Sequence, residues 1–161
     1  MNFWKNKRIL LTGFNGFKGS WMTLMLNQLG AQVYGYSINT KKGKKNNKIF
    51  NLEKNCKNYV YGNLLDKKKL LNFYKKTRPH IIIHMASQSI VLDGYVNPLD
   101  TFLTNNIGLC NLLLLDKKNI SFKKMPIFVL TSDKCYENTE SKIFFKENDS
   151  LSGDDPYSAS K

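Results

Sequence analysis

Three glycines spaced three apart, Gly13, Gly16 and Gly19, follow directly on the short apolar run Arg8–Thr12. That run is apolar at consecutive positions, which predicts a strand covered on both faces, as in a parallel sheet. From Gly16 to Leu29 the spacing becomes helical. Phe17, Trp21 and Leu24 form the apolar stripe, with Met25 and Gln28 beside it, and Gly30 is a natural stop. Strand, glycine turn and helix in that order open an α/β architecture, provided strands and helices go on alternating.

They do. Gln32–Ile38 reads as a second strand and Asn58–Tyr61 as a third. Lys67–Lys76 reads as an amphipathic helix with Leu70, Leu71 and Tyr74 as its stripe, ended by Pro79. His80–His84 is a fourth strand. Pro98 suits the first turn of a long helix running to about Lys118, and Met125–Ser132 is a fifth strand. Lys41–Lys48 and Ser87–Asn97 read as loops. Asp133–Asp155 reads as a long polar connection with a hairpin around Glu140–Phe144, and Pro156-Tyr157 opens a further helix. The expected fold is a Rossmann-type doubly wound parallel sheet forming one domain over residues 1–161, truncated after strand five and the start of the next helix.

Composition narrows the classes. With 42% hydrophobic residues in 161, the chain can bury a core and is not disordered. The longest apolar runs, Ile81–Ile83 and Leu112–Leu115, fall far short of the ~18 residues of a membrane span. Met1–Leu11 lacks the apolar centre of a secretory signal. Cys56, Cys110 and Cys135 are odd in number and widely spaced, which argues against a disulfide framework or a zinc site and leads to the expectation of a reducing cytoplasm and no metal. The net charge of +13 admits a nucleic-acid footprint or a solvated lysine surface. The charge is spread along the chain with one dense cluster, which favours the second.

The glycine spacing differs by one residue from the dinucleotide fingerprint, and its physics is similar. Glycines allow a tight turn and close approach of backbone N–H groups to a pyrophosphate, and the helix that follows aims its positive end at that charge. The alternative is an ordinary strand–helix turn. The candidate phosphate contacts are Gly13, Phe14, Asn15, Gly16 and Phe17. An acidic residue commonly holds the ribose about 20 residues further on; here the uncharged Ser37 stands there. Lys41, Lys42, Lys44 and Lys45 read as a solvated loop, the alternative being a 2′-phosphate contact, so the expected cofactor is NAD with NADP left open.

Four segments in order carry a resemblance. They are the glycine turn, His84-Met85-Ala86-Ser87-Gln88, Thr131-Ser132-Asp133-Lys134-Cys135-Tyr136-Glu137-Asn138, and Tyr157-Ser158-Ala159-Ser160-Lys161. Together they resemble the extended short-chain dehydrogenase/reductase family of nucleotide-sugar enzymes, and the Asp133-Lys134 pair resembles its 4,6-dehydratases. The resemblance implies a cofactor domain followed by a nucleotide-sugar domain, in chains about twice this long. This sequence is therefore expected to be an N-terminal portion without the second domain and without turnover alone. Family homodimers pair long helices, one of which this chain largely lacks, so the dimer expectation does not carry over.

By resemblance, the reaction oxidises C4 of a hexose, eliminates water across C5 and C6, and returns hydride to C6, with the nicotinamide as a bound catalyst. Tyr157 would take the C4 hydroxyl proton, helped by Lys161 four residues on and by Ser132 on the same oxygen. Asp133 would protonate the leaving hydroxyl. Lys134 would serve as base at C5 or as a cation stabilising the enolate. Asn63 and Leu64 would meet the adenine, where the family usually has Asp. Met85, Ala86 and Ser87 would approach the cofactor, with Ser where the family often has Ala. Asn105 is either a helix-surface amide or the family's active-site asparagine. His84 reads as a packed strand-end residue. An epimerase of the same family and a non-catalytic cofactor module remain competing readings. On the lysine-surface reading, a DNA column at low salt will not retain the protein; steeply salt-dependent retention would reinstate nucleic acid as a partner.

Overall fold

The computed structural model describes residues 3–115, 125–137 and 144–161. Five strands form one parallel sheet: β1 (Arg8–Thr12), β2 (Gln32–Ser37), β3 (Asn58–Tyr61), β4 (Ile81–His84) and β5 (Ile127–Val129). Their order is β3-β2-β1-β4-β5, with Leu10 of the central strand opposite Tyr34 and Ile82. The direction of winding reverses between β1 and β4, the place where open α/β sheets leave a crevice for ligands. β1 and β4 are buried throughout apart from Arg8. Ile9, Leu11, Ile81 and Ile83 share one core cluster with Phe14, Leu26, Val33 and Leu52, as the two-residue period of a strand requires.

The chain divides into two compact units. One is Met1–Ala86 with Asn111–Leu130; the other is Ser87–Cys110 with Thr131–Lys161. The first holds the sheet with α1 (Phe17–Gln28), α2 (Lys41–Phe50), α3 (Leu52–Asn55) and α4 (Lys67–Thr77). The second contains α5 (Val91–Val96), α6 (Pro98–Phe102), a π-helical segment Leu103–Ile107, a 3-10 turn Asp133–Cys135 and α8 (Pro156–Ala159); α7 (Gly108–Leu113) continues the helix out of the π segment.

Several expectations are corrected. The stripe on α1 does not face the sheet: Phe17, Trp21 and Met25 are 66, 57 and 50% exposed. Gly19, Ser20, Thr23 and Leu26 face inward instead. The small inner face lets the helix press onto the glycine turn, where a Cβ on Gly19 would lie 2.0 Å from the Gly13 carbonyl oxygen. Residues 41–50 are helical rather than a loop. The Thr40 hydroxyl caps α2 by accepting from the Gly43 N–H at 2.9 Å, and the buried face consists of Gly43 and Asn47. The period is there, but in residues that do not register as apolar. Within the expected loop 87–97 lies α5, whose buried residue is Gly94.

The long helix after Pro98 is present but divided by the π segment, and its expected end near Lys118 lies outside the described residues. β5 is shorter than Met125–Ser132. The expected hairpin around Glu140–Phe144 lies outside the described residues except for Phe144. Flanking it, Tyr136 and Leu151 form an antiparallel bridge, and the Tyr136 and Phe145 rings stack at 4.8 Å. Gly19→Ala tests the close approach. In an ordinary helix Gly→Ala gains about 1 kcal/mol, whereas here the backbone clash should reverse the sign and cost ~1–3 kcal/mol in denaturant unfolding.

Candidate functional site

At the C-terminal end of β1, in the first unit, the fully buried Thr12 hydroxyl joins two strands. It accepts the Met85 and Ala86 N–H groups, both at 3.2 Å. The same hydroxyl lies 2.7 Å from His84 Nδ1, within hydrogen-bonding distance. His84 is a packed strand-end residue, 4% exposed. The tie draws Ala86 onto Gly13, which has φ 70° and where a Cβ would lie 2.8 Å from the Ala86 nitrogen.

Gly16 caps α1 with no side-chain acceptor, and no acidic residue occupies the first turn. The first N–H groups of a twelve-residue helix thus meet no side-chain cap, and a dinucleotide pyrophosphate fits that end in charge and hydrogen bonding. The side chains of Phe14 and Asn15 are turned inward. Phe14 is fully buried under Gly35 and beside the Tyr59 and Tyr61 rings, leaving only its backbone for a ligand. Asn15 Oδ1 accepts the Ser37 hydroxyl at 2.5 Å, its Nδ2 donates to the Ile38 carbonyl, and the Asn15 backbone carbonyl accepts from Asn46 Nδ2. Ser37, the expected ribose contact, has therefore committed its hydroxyl hydrogen to Asn15. Asn63 Oδ1 accepts the Leu65 N–H, while the Asn63 carbonyl accepts the Tyr36 hydroxyl. Burial, with a smaller contribution from Asp66, pushes that phenol up to about 12. Leu64 is buried and Phe17 is exposed.

The candidate acid–base residues lie in the second unit. Ser132 caps the 3-10 turn: its hydroxyl accepts the Lys134 N–H at 3.3 Å and donates to Asp133 Oδ1 at 3.1 Å. Tyr157 and Lys161 stand one turn apart, with Lys161 Nζ 5.4 Å from the centre of the Tyr157 ring. The 3-10 turn packs against α8, which carries Tyr157. Asn105, 5% exposed in the π segment, is tied internally. It accepts from the Gln88 N–H and donates to the Gln88 carbonyl and the Ser160 hydroxyl. Its amide thus tethers the Ser87–Ile90 stretch to α8, and Ser87 is half-buried beside it.

Two residues were missed by sequence reasoning. Thr12 gave no signal, since a hydroxyl ending an apolar strand is unremarkable. Asp155 gave one: it precedes Pro156 as a cap precedes a first helical proline. Its carboxylate accepts from the Tyr157 N–H at 2.8 Å, the Ser158 N–H at 3.1 Å and the Ser158 hydroxyl at 2.5 Å. Partial burial pushes this carboxyl up, but the Ser158 and Tyr157 hydrogen bonds and the Lys134 charge outweigh it and hold it below the usual 3.8. Among the described residues no three His, Cys, Asp or Glu cluster to hold a metal, and no helix is long and apolar enough to cross a membrane.

A family model described as GDP-mannose 4,6 dehydratase matches residues 10–161. The chain belongs to this family. Within this nucleotide-sugar dehydratase and epimerase group, it is 38% identical over 160 residues to the CDP-glucose 4,6-dehydratase of Salmonella typhimurium, covering 99% of this chain and 44% of that one. Its fold is that of the UDP-Glc/GlcNAc 4-epimerase from Campylobacter jejuni, with TM-score 0.83 at 18% identity over 97% of this chain and 46% of that one. The Thermus thermophilus UDP-glucose 4-epimerase in complex with NAD superposes with TM-score 0.81 at 24% identity, covering 96% and 47%. The chain spans less than half the length of each of these relatives.

Thr12→Val tests the tie at the sheet's switch point. It strands the Ala86 N–H and takes the hydroxyl from the His84 ring nitrogen, while the Met85 N–H keeps the Thr12 carbonyl, and should cost ~1–3 kcal/mol in denaturant unfolding. A neutral result would show that water or another group serves those atoms.

Proposed function

We propose that these residues form the cofactor-binding and acid–base portion of a nucleotide-sugar 4,6-dehydratase, a lyase that converts CDP-glucose to CDP-4-keto-6-deoxyglucose with bound NAD. The observation that carries the reading is the 38% identity to a CDP-glucose 4,6-dehydratase along 99% of this chain. The Asp133-Lys134 pair, four residues beyond β5, supports it. On this reading residues 1–161 belong to the NAD-binding domain, and the nucleotide-sugar domain corresponds to the part of the relative this chain does not cover. The setting is the reducing cytoplasm, and the product serves deoxysugar assembly such as lipopolysaccharide O-antigen.

When bound, the nicotinamide would supply the hydride acceptor at C4 and the donor at C6. The α1 N-terminus, with the backbone of Gly13 to Phe17, holds the pyrophosphate, and Met85 and Ala86 close the turn beside it. Asn63 and Leu64 bound the adenine and Ser37 the ribose. Tyr157 takes the C4 hydroxyl proton, with the Lys161 ammonium 5.4 Å from the centre of its ring and Ser132 donating to the same oxygen. Asp133 protonates the leaving C6 hydroxyl as the C5 proton is removed. Lys134 acts at C5, as base or as the cation that stabilises the enolate. The lack of an acidic residue at the end of β2 leaves NADP as the competing cofactor.

The test replaces the aligned portion of the Salmonella typhimurium relative with these 161 residues and supplies NAD and CDP-glucose in deuterated water. The expected result is a 4-keto-6-deoxy product carrying deuterium at C5. Lys134→Ala should abolish C5 exchange if Lys134 is the base and spare it if Lys134 is the stabiliser. The 161 residues alone should bind NAD and give no product. A folded chimera that turns nothing over would overturn the reading.

A further inference from the structure

We propose that Asp155 is a positioning residue whose carboxylate both fixes the turn bearing Tyr157 and provides the counter-charge that aligns Lys134 with that turn. The first half is visible in its three hydrogen bonds to Tyr157 and Ser158. The second follows from the path of the chain. The Ser152 N–H donates to the Cys135 carbonyl at 3.0 Å, and Tyr136 bridges to Leu151. The 3-10 turn holding Lys134 is thereby fastened to the stretch leading into Asp155, and it packs against α8. Gly153 fixes the approach, since a Cβ there would lie 2.2 Å from the Ala159 nitrogen.

The charged and titratable groups around Asp155 are few. The 3-10 turn brings Asp133, Lys134 and Cys135, and the approach to α8 brings Asp154. The turn itself carries Tyr157 and Lys161, while α5 and α6, packed on α8, carry Asp93, Tyr95 and Asp100. Of these, Lys134 is the one whose field favours the ionised Asp155. The ties between the two turns bring a carboxylate to the Lys134 turn, and of the two roles of Lys134 at C5 the stabiliser is the one a cation held beside a carboxylate serves. That catalytic consequence rests on the dehydratase reading; the coupling between the two side chains does not.

The experiment has two arms. In the 161-residue chain, carboxyl carbon resonances are followed against pH, with Asp155 assigned by Asp155→Asn. Lys134→Gln should move the Asp155 midpoint upward, and an unmoved midpoint overturns the proposal. Tyr157 and Ser158 amide exchange should quicken at least tenfold in Asp155→Ala and stay near the parent rate in Asp155→Asn, whose amide oxygen still caps; equal exchange in all three also overturns it. In the chimera, kcat should fall at least tenfold in Asp155→Asn with KM held, and combining it with Lys134→Gln should cost no more than the larger single loss. Additive losses overturn the coupling. A chimera without turnover, beside a midpoint that moves, removes the dehydratase reading and leaves the proposal standing.

Discussion

The end of the central strand depends on one hydroxyl. Thr12 is buried where β1 and β4 stop, and its oxygen is shared among two N–H groups and a ring nitrogen. A single hydrogen bond contributes only about 1 kcal/mol net, but each buried partner left unmade costs ~1–3 kcal/mol. The second figure governs here, because the Ala86 N–H meets no other acceptor among the described residues. With the two strand ends drawn together, Gly13 must meet Ala86 without a side chain, and Gly19 must meet Gly13 likewise. The glycine spacing is thus a requirement of packing before it is one of binding. The same bare turn leaves the α1 N-terminus without a side-chain cap.

The sheet was legible because its signal lies in consecutive apolar residues that only a strand buried on both faces tolerates. β1, β3 and β4 were located within a residue of where they stand. The helices were harder wherever their inward face is small or polar. On α1 the aromatic stripe is real but faces outward, and the packing surface is Gly, Ser, Thr and Leu. On α2 the run of lysines hides a buried face made of Gly43 and Asn47, the latter donating to the Tyr61 hydroxyl. On α5 the one buried residue is a glycine, which offers no apolar side chain for periodicity to register. Periodicity counts apolar side chains, and these helices pack by lacking them.

The candidate site divides along the same line. Residues chosen for chemistry at fixed spacing, such as Tyr157 with Lys161, are visible in the sequence because a helix turns every 3.6 residues. Residues that act by holding others are visible only through partners distant in sequence. Asn105 reaches Gln88 and Ser160 across 17 and 55 positions, and Thr12 reaches His84 across 72. Phe14 and Asn15 sit between the two kinds. Their place in the glycine turn was evident, but the inward aim of their side chains follows from Gly35 and Ser37, on another strand.

The π-helical segment at Leu103–Ile107 sets a rule about length. A helix that widens for one turn accommodates an additional residue without passing the displacement on to the turns beyond it. Each residue of an ordinary helix advances the direction of its side chain by about 100°. Excising one residue there would let the helix relax to regular winding, and would swing Asn105 away from Gln88 and Ser160. The segment can therefore drift in sequence on its outer face, whereas its register is closed to insertion and deletion.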